Sequence, residues 1–333
     1  MRRNEIRQNK ATGQWTIYAP DRGGRPHDHP SCSSSPAPLP DWEERCPFCP
    51  GNEQMLPPIL FETPGLRGNS WQTRVVPNKF PALTPEGGCQ RSIRGIYLAM
   101  PGFGHHEVII DSPLHNRDIA EMAGEEVEAL IETYHYRYLS LKQTDAAMLV
   151  LIFRNHGKRA GTSLIHPHSQ VIATGIVPHH IRWREEEGQR YFDTWGRCVY
   201  CDILAFEEQD RQRVIWENAS FLAFIPFAAE VPFETWIVPK CHRADFGAIA
   251  DGEKKDFAQA LHAVLQMIYR KLENPDYNYV LHTATRYNDA APHLHWYLQI
   301  CPRLTTTAGF EIGSGIRINP TLPEENAAFL QEE

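Results

Sequence analysis

The chain reads as an α+β protein made of two tandem repeats. Each repeat is an antiparallel sheet with one long helix, and the two sheets pair into one extended sheet. Three observations predict this. A Cys-x-x-Cys pair occurs twice, at Cys46/Cys49 and Cys198/Cys201. Each pair is followed at long range by a histidine-bearing segment, H-P-H-S-Q-V from His166 and H-W-Y-L-Q-I from His295. The two segments share the first histidine, the glutamine and the apolar residue after it. The intervals between candidate ligands also recur: 66 and 51 positions for Cys49, His115 and His166, against 41 and 53 for Cys201, His242 and His295. An internal duplication is the simplest explanation, with repeats at 1–177 and 178–333.

The elements follow in order. Residues 13–18 alternate in character as a short strand does, and the basic turn 21–26 follows. The Ser/Pro-rich stretch 31–40 reads as a loop. Strand-like runs occur at 73–76, 95–98, 107–110 and 148–153. Between the last two, Ile119, Met122, Val127, Leu130, Ile131 and Tyr134 recur at spacings of three to five and predict a helix over 116–142. The second half repeats the order, with strands at 213–216, 221–225, 234–238, 277–282 and 293–300 and a helix at 252–273.

A chain of 333 residues, 42% hydrophobic and 22% charged, can bury a sizeable core. A formal net charge of −8 argues against nucleic acid or an anionic membrane as partner. No stretch approaches eighteen uninterrupted apolar residues and no apolar segment follows the basic N-terminus, so the expected location is cytoplasmic. Four of the eight cysteines form the two pairs. A redox role would need a preceding strand and a helix starting at the first cysteine, whereas Cys46 lies in a Pro-rich loop. Metal ligation is the better account.

A closed structural zinc site takes four Cys or His ligands, of which a Cys-x-x-Cys supplies two. The nominated sets are Cys46, Cys49, His115 and His166, and Cys198, Cys201, His242 and His295. His105 or His106 competes with His115, and His293 with His295. Zinc is expected at both, with iron open at the second. In an extended strand, His166, His168 and Gln170 share one face, matched by His295, Tyr297 and Gln299. Only the first copy has a middle histidine, which suggests two metal sites and one nucleophile. Structural satisfaction of both histidines by neighbours is the bland alternative. His168 has no acidic partner nearby in sequence, which suits a nucleophile whose second ring nitrogen is held by a backbone carbonyl. The loop 154–163 carries three cations, two glycines and two hydroxyls, a composition able to bend N–H groups and Lys158 or Arg159 around phosphate oxygens. Taken alone it is equally an ordinary basic turn.

C-P-F-C, then R-V-V-P-N-K-F-P-A-L from Arg74, then N-H-G, G-T-S and H-P-H-S-Q, resemble the galactose-1-phosphate uridylyltransferase family of the histidine-triad superfamily. The resemblance implies two histidine-triad-like repeats and a ping-pong nucleotidyl transfer. His168 would attack the α-phosphorus of a nucleoside-diphosphate hexose, and a hexose 1-phosphate or inorganic phosphate would then take the nucleotide. By position it implies a phosphate cradle at Asn155, Gly161 and Ser163, an oxygen contact at Gln170, a nucleotide contact at Asn78 and a basic pair at Arg22 and Arg25. It further implies a homodimer in which Gly309, Phe310 and Glu311 of one subunit complete the sugar site of the other. Ser169 after the nucleophile and the second cysteine pair resemble the branch that contains ADP-glucose phosphorylase. The competing readings are that phosphorylase, a histidine-triad hydrolase, whose single short repeat carries H-x-H-x-H where this chain has Gln170, and a zinc-knuckle binding module.

Overall fold

The computed structural model describes residues 4–24, 39–65, 68, 70–145 and 147–332. The first half runs β1 (Glu5–Gln8), β2 (Trp15–Tyr18), β3 (Phe61–Pro64), β4 (Trp71–Pro77), the hairpin β5 (Ser92–Arg94) and β6 (Tyr97–Ala99), and β7 (Gly104–Ile110). Helix α1 (Gly124–Lys142), β8 (Leu149–His156) and β9 (His168–Thr174) complete it. The second half opens with α2 (His179–Trp195) and α3 (Val199–Asp210). It continues through β10 (Val214–Glu217), β11 (Phe221–Phe224), β12 (Thr235–Pro239), α4 (Asp251–Lys271), β13 (Tyr277–His282) and β14 (Tyr297–Pro302). Helix α5 (Gly309–Ser314), β15 (Arg317–Asn319) and α6 (Pro323–Gln331) close the chain.

One ten-stranded sheet dominates, in the order β10-β11-β12-β14-β13-β8-β9-β7-β4-β3. Read outward from the β8–β13 seam, the halves mirror each other: β9-β7-β4-β3 on one side and β14-β12-β11-β10 on the other. The seam is antiparallel, with Phe153 opposite Val280 and Arg154 opposite Tyr279. This is the extended sheet that the duplicated pattern predicts.

Period-two alternation divides the sheet's faces. Val75, Ile109, Ile152, Val171, Ile237 and Leu281 face α1 and α4 in one continuous core. Each such fully buried side chain stabilises the fold by about 1.5–3 kcal/mol. Val76, Val108 and Ile110 point the other way and pack with Cys46, Phe48 and Cys49. Leu222, Phe224, Trp236 and Tyr297 do the same around Cys198 and Val199. The two Cys/His clusters therefore lie on the face opposite the long helices.

The structure departs from the sequence reading in four places. Helix α1 begins at Gly124 rather than at 116. The Asp118 carboxylate accepts the Ile119 N–H at 2.5 Å in a short 3-10 turn, and Glu126 accepts the Ala123 N–H at 2.6 Å to start the true helix. The run 95–98 belongs to a separate exposed hairpin rather than the main sheet, and β2 joins β1 and β15 in a three-stranded sheet. Helices α2 and α3 were not anticipated. The buried positions of α2 are Ile181, Arg184, Glu185 and Gly188, a helical spacing that hydrophobicity does not reveal because two of the four are charged. Finally, β9 starts at His168 and β14 at Tyr297, so His166 and His295 each sit just before a strand. Strand alternation holds for His168 and Gln170 and for Tyr297 and Gln299, but not for the histidines before them.

Candidate active site and metal centres

Cys46 and Cys49 close a tight turn in which the Cys49 N–H reaches the Cys46 carbonyl at 3.3 Å, and Asn52 Nδ2 donates to that carbonyl at 2.8 Å. The turn brings both thiols against His166 and His115: Cys46 Sγ lies 3.6 Å from His166 Nδ1, and Cys49 Sγ lies 3.5 Å from His115 Nδ1 and 3.6 Å from His166 Nδ1. A tetrahedral ion at about 2.3 Å from sulfur and about 2.0–2.1 Å from nitrogen has S···N edges of about 3.6 Å. The four donors all lie within 4.8 Å of one another and all four residues are buried. Their geometry fits a divalent metal. So does their chemistry, because two thiols and two imidazoles are a donor set of closed zinc sites.

The second group repeats the arrangement. Cys198 caps the N-terminus of α3, placing Cys201 one turn on, 3.3 Å from His242 Nδ1 and 3.7 Å from His295 Nδ1. In both groups the paired imidazoles meet edge to face with centroids 5.3 Å apart. In both, the histidine before the strand donates its Nε2–H to a backbone carbonyl, His166 to Ser112 at 2.8 Å and His295 to Pro239 at 2.9 Å. That contact leaves Nδ1 as the lone-pair donor toward the thiols. His105, His106 and His293 stand outside both groups among the described residues.

His168 opens β9 and is only 9% exposed. Its Nδ1 lies 2.9 Å from the carbonyl of His166. A carbonyl can only accept, so the proton resides on Nδ1 and Nε2 keeps a bare lone pair. Burial lowers the ring's basicity, reinforced by the positive charge of Arg154, and keeps it neutral. Phe48 packs against the edges of both His166 and His168, with centroids 5.8 and 5.4 Å away.

His168 forms part of the wall of two cavities. One, of about 410 Å³, is lined by Asn155, Lys158, Thr162 and Ser163 together with the apolar Leu164, Ile165 and Pro167. The other, of about 460 Å³, is an apolar slot between Phe48, Leu56, Val76 and Phe80, with Asn78, Gly161, Ser163 and Gln170 along it. The 154–163 loop needs glycine at 157: its φ is +82°, and a Cβ there would fall 1.9 Å from Asp276 Oδ1. Asn155 accepts from Asn278 Nδ2 at 2.7 Å, which ties the loop to β13.

The orientation of Gln170 depends on a residue that the sequence offered only as a metal ligand. The backbone N–H of Ala82 donates to His106 Nδ1 at 3.1 Å, so the His106 proton must sit on Nε2, which faces Gln170 Oε1 at 2.8 Å. Gln170 therefore accepts from His106 and turns its NH₂ the other way. The available signal was the alternation of β7, which sets His106 and Val108 on one face.

Other nominated residues lie elsewhere. Arg154, counted among the loop cations, is 2% exposed and bound by Asp111 and, at 2.8 Å, by Asp118 beneath the site. Ser169 points to the helix face, where Tyr134, Tyr279 and Asp111 contact its hydroxyl. Arg22 lies in a 3-10 turn and lines neither cavity; Arg25 and most of the Ser/Pro-rich stretch lie outside the described residues. Gly309, Phe310 and Glu311 begin α5 and line neither cavity of their own chain; Glu311 accepts the Ala308 and Ile318 N–H groups at 2.8 and 3.2 Å. No helix among the described residues is long and apolar enough to cross a membrane.

Comparison with known proteins agrees with this architecture. Family models for the N-terminal and C-terminal domains of galactose-1-phosphate uridyl transferase match residues 1–178 and 184–331. ADP-glucose phosphorylase of Arabidopsis thaliana is 36% identical over 340 residues, covering 98% of this chain and 92% of its own. Galactose-1-phosphate uridylyltransferase of Thermotoga maritima is 27% identical, covering 98% of each. The crystal structure of the Arabidopsis phosphorylase with bound ADP-glucose superposes with a TM-score of 0.84 at 33% identity over 99% of both chains. A uridylyltransferase structure gives 0.75 at 27% identity over 98% of this chain and 97% of its own. The chain is a nucleotidyltransferase belonging to the galactose-1-phosphate uridyl transferase family.

Proposed function

We propose that the protein transfers a nucleotidyl group from a nucleoside-diphosphate hexose to a phosphate acceptor through a covalent intermediate on His168. The observation that carries this is the His168 ring: neutral, held through Nδ1 by a carbonyl so that Nε2 is bare, and set in the wall shared by two cavities. Nε2 attacks the α-phosphorus. The bond from that phosphorus to the oxygen of the leaving hexose 1-phosphate breaks, and the departing oxygen keeps its electron pair. A phosphate oxygen of the acceptor then attacks the same phosphorus, the P–N bond breaks, and the imidazole is restored. The apolar slot with Asn78 takes the nucleoside; Asn155, Ser163 and Lys158 take the departing phosphate. The Gln170 NH₂ donates to a non-bridging oxygen as charge spreads over the phosphoryl group. The two Cys₂His₂ groups would hold zinc, with iron open at the second. A bound ion would supply no chemistry to the transfer; it would clamp the 46–49 turn, and so Phe48, against the nucleophile. In this reading catalysis belongs to the repeat 1–177, and a homodimer supplies α5 of the partner subunit to the sugar site.

Two donor and acceptor pairs fit. ADP-glucose with inorganic phosphate is favoured by the 36% identity to the Arabidopsis phosphorylase, the higher TM-score, Ser169 and the second cysteine pair. UDP-glucose with a hexose 1-phosphate is favoured by both family models. Side-by-side turnover of ADP-glucose and UDP-glucose, each with phosphate and with galactose 1-phosphate, separates them. Turnover of neither nucleotide sugar with either acceptor would sink the proposal.

His106 acts in this scheme as a positioning residue. His106→Phe is expected to lower kcat by about 10²-fold, the effect of losing one preorganised donor, with KM for the nucleotide sugar changed little. His106→Gln restores a donor near Nε2 and should recover much of the rate. Equal kcat in the wild type and His106→Phe would remove His106 from the scheme.

A further inference from the structure

The half that lacks a nucleophile reaches the transfer site through the seam. Asn278 of β13 lies directly opposite Asn155 of β8. Along β8, Arg154 pairs with Ser169 and shares its helix-side face, so alternation turns Asn155 to the other face, with His168 and Gln170. Along β13, Tyr277 and Tyr279 reach Asp118 and Ser169 on the helix side, which turns Asn278 to the same face as Asn155. Arg303 follows immediately after β14. Its backbone N–H meets the Asp276 carbonyl at 2.7 Å, and its Nε donates to Asn278 Oδ1.

These contacts determine how two amides are turned. An arginine N–H can only donate and a backbone carbonyl can only accept. Asn278 therefore gives its oxygen to Arg303 and its NH₂ to the Ala160 carbonyl, at 2.9 Å. The same NH₂ donates to Asn155 Oδ1 at 2.7 Å. With its oxygen drawn toward β13, Asn155 keeps its NH₂ for the cavity that it lines with Ser163 and Lys158. An amide free to flip would also offer that cavity its oxygen, which repels phosphate; the chain of hydrogen bonds removes this orientation. The second half holds the same loop once more, because the Asp276 carboxylate accepts the Arg159 N–H.

We infer that Asn278 and Arg303 are positioning residues for the transfer, locking Asn155 with its NH₂ toward the phosphoryl group. A donor already aimed at developing charge needs no reorganisation as that charge spreads. The role rests on the proposed use of Asn155 as a phosphate contact beside His168; the orientation of the two amides does not.

The test is the rate at which radiolabelled ADP-glucose and, in parallel, UDP-glucose label His168 in single turnovers of the full metal-loaded chain. Asn278→Asp keeps the size and the acceptor for Arg303 but has no N–H for Asn155, whose amide is then expected to flip. Labelling at saturating nucleotide sugar should slow by about 10²-fold, the effect of one lost preorganised donor. Asn155→Ala should slow it by a similar factor. The two changes combined should be no slower than Asn155→Ala alone, whereas a purely structural role for Asn278 makes the losses multiply. Arg303→Met should slow labelling by about tenfold, the share of one hydrogen bond to a charged group, and Arg303→Lys, which keeps a donor, should recover most of it. Near-UV circular dichroism checks folding. Arg303 is exposed, so its two variants decide if Asn278→Asp does not fold. The inference alone is overturned if the wild type is labelled and folded Asn278→Asp is labelled as fast, if the losses multiply, or if Arg303→Met and Arg303→Lys both match the wild type. A wild type that takes no label from either nucleotide sugar refutes the transfer reading itself, and this role with it.

Discussion

His168→Gln, incubated with radiolabelled ADP-glucose or UDP-glucose, is expected to carry no protein-bound nucleotide, whereas the wild type carries an acid-labile label. Turnover should fall by roughly 10⁴-fold or more, the scale seen when the nucleophile of a covalent mechanism is removed. Stability should change little. Among the described residues the ring's one hydrogen bond goes to the His166 carbonyl, and a neutral bond of that kind contributes about 1 kcal/mol. The variant thus separates chemistry from folding. Label retained on His168→Gln would place the covalent bond elsewhere and end the proposed mechanism.

Cys49→Ser is the second large effect. Cys49 is fully buried, and its sulfur stands within 3.6 Å of both histidines of the first group. The expected result is a fall from two metal ions to one per chain by atomic absorption, and loss of nucleotide trapping as the turn carrying Phe48 detaches from the nucleophile. A metal bound 1,000-fold above its dissociation constant stabilises the folded state by about 4 kcal/mol, and that contribution disappears with the ion. Cys201→Ser should also lose one ion while still trapping nucleotide on His168, because its group lies in the other half. Two ions retained in Cys49→Ser would refute metal binding at the first group.

The contrast between the two groups reflects what a pattern can encode. The cysteine pairs and the histidine segments were legible because metal donors are few in kind and their spacing is fixed by the chain. The competition of His293 with His295 was not, because the two residues are neighbours and only the turn before β14 decides which ring faces the thiols. Helix α2 escaped for a related reason: Arg184 and Glu185 are buried through hydrogen bonds, with Arg184 donating to His282 at 2.6 Å and Glu185 accepting from Thr285 at 2.8 Å. Polarity in the sequence then signals exposure where none exists. Arg154, counted among the three cations of the loop, is likewise consumed by Asp111 and Asp118. His106 was invisible as a positioning residue because its role depends on a backbone N–H from Ala82, twenty-four positions away.

By itself, the sequence determined the repeated pattern, the α+β class, the two cysteine pairs with a short choice of histidine partners and the nucleophile candidate, since each depends on residue type and interval along one chain. Only the tertiary structure decided which face of the sheet carries the chemistry, which carbonyl meets His168 Nδ1 and which histidines join each cysteine pair. Those depend on hydrogen bonds and packing between segments far apart in the chain, and no local pattern records them.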